Sequence, residues 1–320
     1  MDPELAAAIS AVPAWAGLAP EAVTPLTAGI TNRNFRVDIG GGSYVVRLPG
    51  KDTHLLGIDR GAEWEATRAA GAAGVAPEAV AFLPRSGVLV TRFLDADPLS
   101  VGDLEREDVL ARVVAAIRAL HAMPPVSARF SQFRVVRAYR RVAARRGVPI
   151  PGAYAVALER ATEIETAVRA GSGPPVPCHN DLLQANFLVR DDRVYLVDYE
   201  YSGMGDPLFD LGNFSINNGL SEDAQRTLLA LYLGDVTPAA VARLKLMRLM
   251  SDFREAMWGV IQQGISTLDV DYVAYAQRHF ERCLASAGDA RYRSWLADAS
   301  SSTRRERARY FNASPSRRIR

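Results

Sequence analysis

Two short apolar runs, Phe187–Arg190 and Arg193–Val197, meet at Asp191-Asp192 and read as a β-hairpin. Asn186 immediately precedes the first run and Asp198 immediately follows the second. Antiparallel pairing returns the two ends of a hairpin to one open edge, so an amide oxygen and a carboxylate meet within about one residue of being opposite. Asp181 stands five residues upstream of Asn186, in His179-Asn180-Asp181-Leu182-Leu183-Gln184-Ala185-Asn186, and a tight loop of that length keeps it near the same edge. Three oxygen groups so gathered suit a hard cation such as Mg²⁺. They also suit phosphoryl transfer, in which one carboxylate positions a hydroxyl while the amide and the second carboxylate hold metal on the phosphates.

Composition narrows the classes that remain. Of 320 residues, 48% are hydrophobic and 23% charged, which is ordinary globular usage and excludes a disordered or fibrous chain. No apolar run approaches the roughly 20 residues of a membrane span. Asp2 and Glu4 stand where a signal peptide would carry positive charge, so a cytoplasmic protein is expected. The two cysteines, Cys178 and Cys283, have no CxxC spacing and the four histidines are scattered singly, so any metal should sit on carboxylates and amides. The net charge of +2 conceals a basic end: residues 303–320 hold seven Arg and one Glu, a net +6, leaving −4 on residues 1–302. Without a nucleic-acid motif, that end reads as a solvated terminus. No nucleic-acid partner and no membrane span are expected, and the oligomeric state is not defined by the sequence.

Along the chain, Asn34–Ile39 and Ser43–Leu48 alternate as two strands around Gly40-Gly41-Gly42. Asp59–Ala73 reads as a helix, and Ala79–Leu83 and Val88–Phe93 as two more strands. After Pro98 the chain is mostly helical, with Leu110, Val113, Val114, Ile117, Leu120 and His121 on one face. The expected fold class is α+β, with a small antiparallel-sheet lobe over residues 1–94, a larger helical lobe over 95–302 and a basic tail over 303–320.

His-x-Asp-x4-Asn followed by a strand and Asp is a kinase-like catalytic loop and metal loop. With Asp198-Tyr199-Glu200-Tyr201 and the later Asp206-Pro207-Leu208-Phe209-Asp210-Leu211-Gly212-Asn213, the chain resembles the choline/ethanolamine kinase family within the aminoglycoside phosphotransferase, protein-kinase-like superfamily. The resemblance spans about residues 26–285. It implies a bilobal kinase fold and an ATP- and Mg²⁺-dependent kinase acting on choline or a related amino alcohol. Asp181 and His179 are then the catalytic-loop groups, Asn186 and Asp198 the metal ligands, and Asp210 a carboxylate orienting the loop.

The N-terminal lobe should hold the nucleotide. In the turn that ends in Phe35, Gly29, Thr31 and Asn32 are placed to contact phosphates. Arg47 stands where a kinase puts its phosphate-holding lysine, with Glu63 as its helix partner and Glu65 as the alternative. Backbone at Thr91, Arg92 and Phe93 should meet adenine. For the acceptor, Trp258, Tyr272, Tyr275 and Tyr201 are candidate walls, since a trimethylammonium group donates no hydrogen bond and favours aromatic faces. The family often has a second tryptophan one turn earlier, where this chain has Arg254-Glu255, and an acid where Asn217 stands. Glu200 and Asp252 are candidates to supply negative charge instead. An aminoglycoside or other alcohol kinase with the same core would present an acidic cleft in place of aromatic walls. A nucleotide-binding pseudokinase is disfavoured because every expected phosphoryl-transfer group is present.

Overall fold

The computed structural model describes residues 2–26, 31–169, 171 and 173–301. Gly29 of the phosphate turn and the basic tail from 303 onward lie outside the described residues. Helix α1 (Pro3–Ala11) starts at Asp2, whose carboxylate accepts the Glu4 and Leu5 N–H groups. Strands β1 (Ala22–Leu26), β2 (Arg33–Ile39), β3 (Gly42–Leu48), β4 (Ala79–Leu83) and β5 (Val88–Arg92) form one antiparallel sheet in the order β1-β2-β3-β5-β4, and helix α2 (Arg60–Ala72) lies between β3 and β4 in sequence. Gly40 and Gly41 both take positive φ, 57° and 71°, the paired left-handed turn that a two-residue hairpin connection requires. Pro25 in β1 is tolerated because β1 is an edge strand.

The chain then enters β6 (Asp97–Pro98) and helices α3 (Glu107–His121), α4 (Gln132–Arg145) and α5 (Ala153–Arg169). Four short strands follow: β7 (Val176–Cys178), β8 (Phe187–Arg190), β9 (Arg193–Leu196) and β10 (Gly203–Gly205). Helices α6 (Pro207–Asn217), α7 (Glu222–Leu233), α8 (Pro238–Gln262), α9 (Tyr272–Ala287) and α10 (Tyr292–Ser300) complete the described chain. The β8–β9 hairpin pairs Phe187 with Leu196, and β6 adds to its other side through Pro98 and Leu188. The connector between the sheet and the helical body is thereby tied to the strand that Asn186 precedes.

Two apolar clusters hold the molecule together. The smaller joins Leu5, Ile9 and Trp15 to Val37, Ile39, Val46 and Val90 on one face of the five-stranded sheet. The larger runs through the helical body and takes in Leu56, Ala66, Ala70, Val75 and Ala76. Helix α2 therefore packs with the body as well as following the sheet, which carries Glu63 to the junction. Helix α8, 25 residues long, has a partly exposed stripe formed by Val241, Lys245 and Arg248 and is buried over most of its surface, including Arg243, Asp252, Arg254 and Glu255. Buried charges are tolerable only with partners, so these four mark where polar networks must lie. Among the described residues no single helix is long and apolar enough to cross a membrane.

Candidate active site

The loop from His179 to Asn186 is held from below by α6. Asp210, fully buried, accepts the N–H of His179 at 2.8 Å and of Asn180 at 2.7 Å, and its Oδ2 lies 3.0 Å from His121 Nε2. His121 Nδ1 in turn lies 2.7 Å from the Tyr232 hydroxyl. One turn on, Asn213 accepts the Leu182 N–H at 2.5 Å, and Asn218 donates to the Leu182 carbonyl at 3.1 Å. Ligand atoms of His121, Cys178 and Asp210 lie within 4.8 Å of one another, but both His121 nitrogens and both Asp210 oxygens already have partners in this network. This cluster is a hydrogen-bonding hub that orients the loop. Burial pushes the Cys178 thiol well up, away from the thiolate a metal would need.

His179, expected among the catalytic groups, takes a different place. Its side chain is fully buried, with Nε2 3.0 Å from the Val197 carbonyl and its ring 4.9 Å from that of Tyr199. It braces the turn that carries Asp198 and is a positioning residue. Asn180 and Asp198 both adopt left-handed backbone, φ 66° and 67°, a conformation uncommon outside glycine and most accessible to Asn and Asp.

The hairpin geometry brings Asn186 and Asp198 together: Val197 N–H donates to the Asn186 carbonyl at 3.0 Å. The Asn186 side-chain nitrogen donates to the Asp181 carbonyl at 2.8 Å, which leaves its amide oxygen for a cation. The Asp198 side chain is 31% exposed, against 2% for Glu63, so it is the carboxylate of this group open to a ligand. An amide and a carboxylate with no thiolate or imidazole between them fit Mg²⁺. Arg47 of β3 bridges Glu63 of α2 and Asp198, the latter at 2.7 Å. Glu65 points elsewhere and accepts from Ser127.

A second arginine, Arg60, was not signalled by the sequence. It donates to Glu63 at 2.8 Å, Glu200 at 3.2 Å, Asn32 at 2.9 Å and Thr53 at 3.1 Å. Asn32 also donates to Glu200 at 2.9 Å. Glu200, expected at the acceptor, thus lies at the seam between sheet and body. Burial pushes its carboxyl up to about 7, with the Asp198 charge adding to the rise and Arg47 and Arg60 opposing it. At the connector, Thr91 sits in β5 between β3 and β4, and the N–H groups of Arg92 and Phe93 donate to Glu78 and Ser43 at 2.8 and 2.9 Å. Of the backbone expected to meet adenine, the N–H groups of Arg92 and Phe93 are thus engaged within this lobe.

The aromatic residues do converge. The Trp258 ring lies 5.8 Å from Tyr272 and 5.5 Å from Tyr275, and its N–H donates to the Tyr201 hydroxyl at 3.0 Å. Between this group and the loop stands Arg254, 1% exposed in its side chain. It donates to Asp181 Oδ1 at 2.8 Å and to Glu255 Oε1 at 2.5 Å, and Tyr275 donates to the other Glu255 oxygen at 2.8 Å. Burial raises the Asp181 carboxyl above its ordinary value, with the Arg254 charge opposing and Glu255 adding to the rise. Asp252 is not available here: it is fully buried and bonded to Arg282 and His279. The acid beside the aromatic group is Glu255, which sequence reasoning noted only as a departure.

A small antiparallel sheet laid over a helical body, with the Asp181, Asn186 and Asp198 loops along the seam, is the protein-kinase-like fold, and similarity to known proteins narrows it further. The model of the phosphotransferase enzyme family matches residues 22–246. Protein LicA of Haemophilus influenzae is 30% identical over 251 residues, covering 73% of this chain and 72% of that protein. Ethanolamine kinase 1 of Mus musculus is 29% identical over 298 residues, covering 80% and 81%. The crystal structure of a choline/ethanolamine kinase family protein from Mesorhizobium loti superposes with a TM-score of 0.81 at 33% identity, covering 93% and 99% of the two chains. The chain belongs to the choline/ethanolamine kinase family of these phosphotransferases, enzymes that transfer phosphate to an alcohol.

Proposed function

We propose that the protein transfers the terminal phosphoryl group of ATP, with Mg²⁺, to the hydroxyl of choline or a related amino alcohol. The observation that carries this reading is the joining of Asp181 to two groups at once. The Asn186 amide bonds its backbone, and Arg254 links its carboxylate to the aromatic cluster. Asp181 accepts or orients the acceptor's hydroxyl proton, and a carboxyl raised by burial suits that task. Asn186 and Asp198 are the residues that would hold the metal, which when bound neutralises charge on the phosphates. Arg47, held by Glu63, directs a guanidinium at phosphate oxygens, and Thr31 and Asn32, which lead into β2, are the residues proposed to contact them as well. Residues 94–96, which follow the hydrogen-bonded end of β5, offer adenine its backbone contacts. Residues 1–94 thus form the nucleotide-binding lobe, and residues 95–302 the lobe that carries the catalytic loop and the acceptor site.

ATP consumption measured against choline, ethanolamine, thiamine and aminoglycosides tests the reading. Turnover is expected with an amino alcohol, abolished by EDTA and restored by Mg²⁺. Turnover confined to aminoglycosides, or turnover that survives EDTA, would overturn it.

A further inference from the structure

Resting on that amino-alcohol reading, we propose that Arg254 determines acceptor specificity. It fills the aromatic face a quaternary ammonium would use, and with Glu255 it turns the site towards acceptors whose cation carries N–H groups. The Arg254 guanidinium carbon stands 4.4 Å from the centroid of the Tyr201 ring, well within cation–π range. The same guanidinium is ion-paired to Asp181 and Glu255, and its Nε is buried with no hydrogen-bond partner among the described residues. Tyr201 is therefore already stacked against a resident cation. A trimethylammonium group has no N–H to offer, so its recognition depends on such faces, and a second positive charge placed on this one meets the first at close quarters.

The local charge nevertheless calls for a cation. Asp181 and Glu255 carry two negative charges against the single positive charge of Arg254. Neither carboxylate has exhausted its acceptor capacity, since each oxygen has two lone pairs and the bonds on each are few. A primary ammonium can donate to these carboxylates directly and needs no free aromatic face. A site of this kind distinguishes acceptors by a repulsive element as well as an attractive one.

The test compares kcat/KM for ethanolamine and choline on one preparation, so that the ratio is independent of the fraction folded. The wild-type protein is expected to prefer ethanolamine by about tenfold or more. Arg254→Met uncovers Tyr201 and removes the resident charge. Turnover with both acceptors falls as Asp181 loses its partner, while the ratio moves towards choline by about tenfold or more. Glu255→Gln provides a second variant of nearly unchanged shape, in which KM for ethanolamine should rise several-fold more than KM for choline. A wild-type preference for choline, or an unchanged ratio in both variants, overturns the inference while leaving the amino-alcohol reading intact. Phosphorylation of neither acceptor overturns that reading, and this inference with it.

Discussion

Asp181 sits under opposed influences: burial and Glu255 raise its carboxyl while Arg254 pulls it down. Asp181→Asn keeps the shape and the Asn186 contact, which is made to the backbone carbonyl. It removes the acceptor of the hydroxyl proton, so kcat should fall by about 10²–10⁴-fold with nucleotide affinity unchanged. Steady-state rates beside a nucleotide titration check this, and a near-normal kcat would remove Asp181 from its role. The carboxylates and amide of the loop were legible in sequence because a hairpin is local: pairing Phe187 with Leu196 leaves Asn186 and Asp198 little choice of neighbour. Arg254 reaches Asp181 across 73 residues and Arg60 reaches Glu200 across 140, and no local pattern encodes such meetings. The partners of His179 and Glu200 were hidden for a related reason. A motif names residues, but the direction of each side chain depends on the turn: here His179 faces the Val197 carbonyl and Glu200 faces Asn32 and Arg60.

At the scale of elements, the site depends on how closely α6 approaches α8. A Cβ added at Gly212 would lie 2.7 Å from Met247 Cβ, 2.8 Å from the Met247 carbonyl carbon and 2.9 Å from the Arg248 nitrogen. Two of these three are backbone atoms, so no side-chain rotation relieves the contact. Gly212→Ala should therefore force the helices apart and destabilise the protein by about 1–3 kcal/mol. Because Asp210 and Asn213 flank Gly212 and hold the catalytic loop, kcat should fall as well, beyond what the unfolded fraction explains. Urea unfolding together with kcat per folded molecule separates the two effects, and wild-type values in both would show that α6 has room to move. Sequence periodicity found α3 through one apolar face, and Gly-Gly between alternating runs found the β2–β3 hairpin. It did not signal α1, a nine-residue helix whose stability comes from packing Leu5 and Ile9 on the sheet. The environment of α8 was equally hidden, since charged residues stand on its buried faces, Arg243, Asp252, Arg254 and Glu255, as well as on its partly exposed stripe, and so do not mark its orientation.

For the molecule as a whole, the seam between sheet and body is bridged by charge as well as by α2. Arg47 and Arg60, from β3 and α2, meet Asp198 and Glu200, and Asn32 adds a hydrogen bond from the sheet side. Glu200 is the group through which this junction should respond to pH. Its carboxyl is pushed up from 4.5 to about 7, chiefly by burial and then by Asp198, against the pull of Arg47 and Arg60. A carboxyl with a raised value in the folded state binds protons more readily folded than unfolded between those limits. Its contribution to stability is present below about pH 4.5 and lost as pH rises through about 7. Glu200→Gln mimics the protonated acid and cannot titrate. The stability of the wild type relative to this variant should therefore decline between pH 5 and 7.5, by up to about 3 kcal/mol. Urea unfolding of both proteins across that range measures the difference directly. A difference that does not change with pH would mean that Glu200 ionises equally in both states. One that grows with pH would mean that Arg47 and Arg60 outweigh burial, so that ionised Glu200 strengthens the seam.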